Sequence, residues 1–327
     1  MSKVMVSGGA GYIGSHTVLC LLEAGYEVVV YDNLSTGFAE AVSPPAELVQ
    51  GDLSELDKLD KLFVDQQFQS IVHFAADIVV PESVENPLKY YKNNTLNTTR
   101  LIELAVRHSI QSFIFSSTAA VYGIPQDLPV NESAPLQPIN PYGKSKLMSE
   151  WILQDTALAH PKLKYIILRY FNVAGADPEG RLGQSTPEAT HLIKVACQTA
   201  LGQRQALDIF GTDYPTKDGT GVRDYIHVTD LSQAHVAALE HLQQGRASGI
   251  YNCGYGHGCS VLDIVQAVEK ISGIKLQTRK VDRRPGDPAE LVADPSKLKA
   301  TFDWLPRFDN IEKIVRTAYA WEQNRKY

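Results

Sequence analysis

The chain is expected to fold as an α/β protein built on a doubly wound parallel sheet, with a smaller C-terminal α/β part that binds substrate. Three observations lead there. A short apolar run, Val4 to Ser7, passes directly into Gly8-Gly9-Ala10-Gly11-Tyr12-Ile13-Gly14 and then into a helical pattern that reaches Ala24. Strand-like and helix-like stretches alternate through the first half of the chain, the pattern of parallel strands joined by helical crossovers. Of the 15 tyrosines, only Tyr142 has a lysine four positions on, Lys146, just downstream of the strand-like run from Ser112 to Thr118.

The first strand sets the chemistry of its turn. Glycines at 8, 11 and 14 let backbone approach a pyrophosphate and let helix pack closely on strand, while a helix N-terminus offers unpaired N–H groups and partial positive charge. The spacing is Gly-x-x-Gly-x-x-Gly rather than Gly-x-Gly-x-x-Gly, and alone it also describes a tight turn with no ligand. The second strand, Glu27 to Tyr31, ends in Asp32, 18 residues beyond Gly14. A carboxylate there accepts hydrogen bonds from the hydroxyls of an adenosine ribose and repels a 2′-phosphate, so the expected cofactor is NAD rather than NADP.

Further strands are expected at Glu47 to Gln50, Ile71 to Phe74, Phe113 to Ser116 and Tyr165 to Arg169, with helices between them. Their ends bring Gly8, Asp32, Asp52, Phe74-Ala75-Ala76, Ser116-Ser117-Thr118 and Arg169-Tyr170-Phe171-Asn172 to one crevice, where open α/β sheets bind ligands. Tyr142 and Lys146 sit one turn apart on a helix next to that crevice. A fixed cation beside a phenol favours the phenolate, so the phenol pKa is expected to fall from about 10 toward working pH and make Tyr142 a general base. From spacing alone the two read equally well as a surface helical pair.

At 327 residues the chain exceeds what one core usually holds. The expected division is a dinucleotide-binding part, 1–173, and a mainly substrate-binding part, 174–327, where turn-rich segments such as Asp177-Pro178-Glu179-Gly180 begin. A strand from Asp224 to Val228 and the helix after it are expected to return to the main sheet. Hydrophobic content of 44% and charged content of 21% are those of an ordinary folded protein. A net charge of −6 gives no general attraction for nucleic acid or anionic membrane, so phosphate binding has to be local. No stretch is long and apolar enough to span a bilayer, and Met1-Ser2-Lys3 leads straight into a strand, so the expected location is the cytoplasm. Cys20, Cys197, Cys253 and Cys259 are dispersed without zinc-site spacing and read as reduced structural thiols, with no metal expected.

Beyond these separate signals, the chain resembles the extended short-chain dehydrogenase/reductase family, and within it the UDP-hexose 4-epimerases. The similarity runs from Gly8-Gly9-Ala10-Gly11-Tyr12-Ile13-Gly14-Ser15-His16 through Asn140-Pro141-Tyr142-Gly143-Lys144-Ser145-Lys146 to Arg169-Tyr170-Phe171-Asn172. Its most specific parts are Asp218-Gly219-Thr220-Gly221-Val222-Arg223-Asp224-Tyr225-Ile226-His227-Val228 and Arg283-Arg284-Pro285-Gly286-Asp287. The resemblance implies a Rossmann-type sheet, bound NAD and a UDP-hexose substrate. It implies reversible interconversion of UDP-galactose and UDP-glucose. Hydride leaves C4 for NAD, the 4-keto sugar turns its other face, and hydride returns with inverted configuration.

Position by position, the resemblance makes Tyr142 the base for the 4-hydroxyl, Lys146 its electrostatic partner and a ligand of the nicotinamide ribose, and Thr118 a hydrogen-bond partner of the same hydroxyl. It implies cofactor contacts from Gly8, Gly11, Tyr12, Ile13, Gly14, Asp32, Asn33, Leu34, Ser35, Thr36, Gly37, Asp52, Leu53, Phe74, Ala75, Ala76, Asn93, Ser116 and Phe171. For the nucleotide sugar it implies Asn172, His191, Leu192, Asp208, Ile209, Phe210, Arg223, Arg284, Asp287 and Leu291. Guanidinium groups at 223 and 284 suit a diphosphate, although without the surrounding motif they would read as solvated surface arginines.

Related enzymes that eliminate water or decarboxylate usually carry an extra carboxylate after the threonine, where this chain has Ala119 and Ala120. A non-catalytic dinucleotide-binding protein on the same fold is the alternative of a different class. Two departures matter. Ile78 stands where many of these epimerases have a lysine that helps hold the cofactor, which implies looser NAD or another donor. Leu291 stands where a tyrosine or a smaller residue sets sugar selectivity, so UDP-N-acetylhexosamines are expected to turn over at a reduced rate; a core leucine without that role is the other reading. The family also pairs two long helices across a two-fold axis, which here implies a homodimer through Pro87 to His108 and Tyr142 to His160. Apolar residues such as Leu96, Leu101, Leu104, Leu147 and Ile152 could equally pack within one subunit.

Overall fold

The computed structural model describes residues 2–187, 190–284 and 286–327, so Pro285 of the arginine-rich motif and Met1 lie outside the described residues. The first half of the chain forms β1 (Lys3–Ser7), α1 (Tyr12–Glu23), β2 (Glu27–Asp32), β3 (Glu47–Gln50), α2 (Leu56–Gln66), β4 (Ser70–His73), α3 (Val80–Glu85), α4 (Pro87–Tyr90), α5 (Asn97–Arg107), β5 (Ser112–Thr118), α6 (Pro141–Ala159) and β6 (Lys164–Tyr170). The second half adds β7 (Asn172–Ala174), α7 (Leu192–Ala200), β8 (Leu207–Phe210), β9 (Val222–Arg223), β10 (Tyr225–His227), α8 (Val228–Gln243), β11 (Gly249–Cys253), β12 (Cys259–Ser260), α9 (Val261–Ser272), β13 (Thr278–Val281), β14 (Glu290–Leu291), α10 (Ser296–Thr301) and α11 (Ile311–Gln323).

Seven parallel strands make the main sheet in the order β11-β6-β5-β4-β1-β2-β3. The chain builds outward from β1 through β2 to β3, then crosses back and builds the other way from β4. The reversal therefore falls between β1 and β4, and it opens a crevice at their C-terminal ends, beside Gly8 and Phe74. Side chains alternate between two cores. Val4, Val6, Val28, Val30, Val72, Ile114 and Ile166 face one cluster, while Met5, Val29, Tyr31, Ile71, Phe113, Phe115 and Ile167 face the other. Both faces are covered, so these strands read as continuous apolar runs.

The expected strand from Asp224 to Val228 does not rejoin this sheet. Its core, β10, pairs with β7 in a separate two-stranded sheet, and β11 supplies the seventh strand instead. β6 ends at Tyr170, and β7, one residue later, pairs only with β10, outside the main sheet. Helix α8 does return, packing on α1, β5 and β6. The remaining short strands form β12-β9-β14 and β13-β8, and α7, α9 and α11 pack together beside them.

The helix carrying Tyr142 begins sharply. The Asn140 side chain accepts from the Gly143 N–H at 2.8 Å, and Pro141 occupies the first turn, where its missing N–H costs nothing. Between α4 and α5, Tyr91–Leu96 takes wider π-type turns, which often mark functional segments. All four cysteines are free, and among the described residues no helix is long and apolar enough to cross a membrane.

Candidate active site

The glycine turn is shaped by close backbone packing. Gly8 has φ +75°, and a Cβ there would stand 2.5 Å from the Ala75 nitrogen. A Cβ on Gly14 would stand 2.1 Å from the Gly8 carbonyl oxygen. Gly11 is the N-cap of α1 and offers no capping side chain, so the first N–H groups of α1 remain available to an anion, aided by the helix dipole. Ile13 packs against the adjoining core, whereas the Tyr12 hydroxyl donates to the Gly175 carbonyl at 2.7 Å and ties the turn to the second half of the chain.

Asp32 ends β2, is 8% exposed, and accepts from Ala10 N–H at 2.9 Å and Leu34 N–H at 2.8 Å. Burial raises its pKa, and the two N–H donors act against that rise. These contacts hold Leu34 in the left-handed region at φ 59° and arrange the loop behind it. Ser35 N–H donates to Asn33 at 3.0 Å, Asn33 donates to Asp52 at 2.7 Å, and Gly37 lies so close to Ala10 that a Cβ would meet its carbonyl carbon at 2.7 Å. Thr36 lines a small cavity with Gly11 and Tyr12. Leu53 is buried beneath, and Asp52 keeps a lowered pKa because hydrogen bonds from Ser54 and Asn33 outweigh the effect of burial. An uncapped helix N-terminus, glycines that admit no Cβ, and an anchored carboxylate at the end of β2 together fit NAD.

Across the crevice, Phe74 and Ala75 donate their N–H groups to the Ser7 carbonyl at 2.8 and 3.1 Å, and the Phe74 ring lies 4.8 Å from that of His235. Ala76 follows them, half-buried. Asn93, on the π-type turns, donates to Asp77 at 2.9 Å. Ile78 is 50% exposed, and the nearby cation is Lys89, 3.4 Å from Asp77 and 2.6 Å from Glu82.

The reactive group lies at the end of β5. Thr118 is the neighbour that acts to lower the Tyr142 pKa, and its Oγ1 accepts from Ala120 N–H at 3.1 Å. Lys146 is 4% exposed and donates to the Ser116 carbonyl at 3.0 Å. Ser116 Oγ in turn meets the Tyr170 hydroxyl. The phenol pKa moves opposite to the fall expected from the neighbouring lysine. Burial of the Tyr142 side chain, itself half-buried, holds the phenol above its usual value, with Thr118 the group that acts to lower it. The lysine itself responds to burial, which pulls it down to about 8, while the Glu150 carboxylate acts to raise it.

Nine of the ten residues implied for the nucleotide sugar fall into three groups. Asn172 on β7, His191 at the N-cap of α7 and Leu192 line one cavity, with His191 Nδ1 2.8 Å from Gln184 Nε2 and the buried Lys194–Glu322 pair behind them. Arg223 on β9 pairs with Asp287 at 3.1 Å, and Leu291 on β14 is the register partner of Arg223, half-buried against the cluster of Ala119, Tyr122 and Phe171. The Arg284 guanidinium lies 3.8 Å over the Phe210 ring, next to buried Ile209. Asp208 stands apart from these, its carboxylate turned to exposed Arg279 at 2.7 Å.

Sequence reasoning missed a second layer. Glu150 is 0% exposed, forms an ion pair with Arg169 and accepts from Ser117. Arg169 reaches the Tyr122 hydroxyl at 3.1 Å, which donates to Asn252 at 2.7 Å. Asn94 joins Asp77 to Ser145 of α6. The helical repeat that marks Lys146 after Tyr142 also marks Glu150 after Lys146; Asn94 carries no such signal.

Residues 4–254 match the NAD dependent epimerase/dehydratase family. The chain is 52% identical over 322 residues to the UDP-glucose 4-epimerase of Azospirillum brasilense, covering 98% of this chain and 92% of that protein. The crystal structure of UDP-glucose 4-epimerase from Brucella ovis in complex with NAD superposes with a TM-score of 0.95 at 43% identity, covering 98% of both chains. The UDP-Glc/GlcNAc 4-epimerase of Campylobacter jejuni gives a TM-score of 0.88 at 50% identity, covering 99% of this chain and 100% of that one. On this similarity, which spans the glycine turn, the Tyr142 helix and the Arg223 strand, the chain belongs to the NAD dependent epimerase/dehydratase family.

Proposed function

We propose that this site interconverts UDP-galactose and UDP-glucose by reversible oxidation at C4 of the hexose. The observation that carries the reading is Tyr142 next to Thr118, with buried Lys146 one turn away and only Ala119 and Ala120 following the threonine. Bound NAD supplies the acceptor, and afterwards the donor, of the C4 hydride. Tyr142 takes the proton of the 4-hydroxyl and returns it on the other face, Thr118 orients that hydroxyl, and the Lys146 ammonium stabilises the phenolate. Arg223 and Arg284 hold the diphosphate, and residues 174–327 contribute most of the nucleotide-sugar site. The test is incubation of the purified protein with UDP-galactose and no added NAD, following UDP-glucose formation and transient NADH absorbance. Bound NAD without conversion favours the non-catalytic reading.

Leu291 favours a second substrate class. A leucine between Arg223 and the Ala119–Phe171 cluster leaves more room than a tyrosine, and the Campylobacter jejuni relative is described as acting on UDP-Glc and GlcNAc. UDP-N-acetylglucosamine then turns over more slowly than UDP-galactose; undetectable turnover beside rapid UDP-galactose conversion excludes this.

A homodimer through the helices of Pro87 to His108 and Tyr142 to His160 is the quaternary reading, with α3 beside them. Leu101, Leu104 and Leu147 are spent inside the subunit, but Val84, Leu88, Leu96, Met148, Trp151 and Leu158 are all at least 40% exposed. Sedimentation at micromolar concentration tests it. Four free thiols fit a reducing compartment such as the cytoplasm.

A further inference from the structure

Tyr327 is folded back against the cofactor side of the molecule. Its ring lies 5.3 Å from that of Phe38 and 5.3 Å from that of Trp321 on α11. Trp321 is itself fixed on Gly183, where an added Cβ would stand 2.3 Å from the indole. On the other side, Phe38 donates its N–H to the Ala10 carbonyl at 3.1 Å, and Ala10 donates its own N–H to Asp32 at 2.9 Å. One line of contacts therefore runs from Trp321 through Tyr327 and Phe38 to the glycine turn and the carboxylate at the end of β2. Tyr327 also lines the shallow depression shared by Gly11, Tyr12, Thr36 and Gly183.

We infer that Tyr327 is a positioning residue for the cofactor, pressing the 36–38 loop onto the glycine turn so that the adenosine end of NAD is enclosed. The inference rests on the NAD reading above. Phe38 is half-buried, and its aromatic neighbour is Tyr327. Without that ring, the loop keeps its hydrogen bond to Ala10 but loses the wall behind Phe38. The loop then opens more often, and a ligand beneath it escapes faster. The ring of Tyr327 packs on Phe38 and Trp321, so sugar binding through Arg223 and Arg284 should be left alone.

The test compares the unchanged holoenzyme with Tyr327→Ala and Tyr327→Phe. NAD release is followed after dilution by assaying free NAD, and the KM for UDP-galactose is measured at saturating NAD. Tyr327→Ala is expected to release NAD about tenfold faster, equivalent to about 1.4 kcal/mol and to the upper range of an aromatic pair, with little change in KM. Tyr327→Phe is expected to restore slow release, since the ring is kept. Unchanged release from Tyr327→Ala overturns the inference. So does a Tyr327→Ala protein in which NAD release, sugar KM and the melting temperature of the NAD-free form all worsen together, which marks a general structural role. If the unchanged protein holds no NAD, the cofactor reading fails first and the inference with it.

Discussion

Lys146 and Glu150 occupy successive turns of α6, both buried, with the ammonium on the Ser116 carbonyl and the carboxylate paired with Arg169. Burial lowers the Lys146 pKa to about 8, and Glu150 is the anion that acts against the fall. A lysine with pKa near 8 carries its charge below that pH and loses it above. Activity that needs the ammonium should therefore decline as pH rises through about 8. Glu150→Gln should move this alkaline limb to lower pH, because the supporting anion is gone. The pH dependence of kcat/KM checks both; a limb that stays in place in the variant contradicts the coupling.

The same pair should matter for stability. Arg169 and Glu150 are 1% and 0% exposed in their side chains. Arg169→Met alone leaves a buried carboxylate without its partner and should destabilise by about 3–5 kcal/mol. Adding Glu150→Gln removes the stranded charge and should recover part of that loss. Urea denaturation of the three proteins checks the order.

Tyr142→Phe removes the proton acceptor and leaves the ring. The kcat should fall by about 10²–10⁴, the usual contribution of a positioned general base, while NAD stays bound. Steady-state kinetics with assay of bound NAD measures the two separately. Loss of NAD alongside activity would mean that Tyr142 acts mainly by holding the cofactor.

Asp32→Asn keeps the shape of the end of β2 but halves its acceptor capacity and removes its charge. Affinity for NAD should drop by about 10- to 100-fold, the scale of hydrogen bonds to a charged group, and the preference over NADP should shrink. Titrations with both nucleotides check this, and an unchanged preference contradicts the role given to the carboxylate.

The parts legible in the sequence are those set by near neighbours. Apolar runs located the strands of the first half to within two residues, as with Glu47–Gln50, and Asn140-Pro141 marks the start of α6 through local capping. What escaped depends on distant partners. The edge strand Gly249–Cys253 is defined by pairing with β6, not by its own pattern, and β9, β12 and β14 are two residues each, too short for any period. Lys194 and Glu322 lie 128 positions apart, and nothing in either segment announces the pair. For Tyr142, spacing indicated a neighbouring lysine but not the burial that reverses the sign of the pKa shift.

In the proposed reaction, hydride leaves C4 and returns to the same carbon from a cofactor that stays bound. Turnover of UDP-galactose deuterated at C4, by the protein as purified and without added NAD, tests this most directly. UDP-glucose that retains deuterium at C4 is the predicted product. Deuterium lost to solvent during conversion would contradict it.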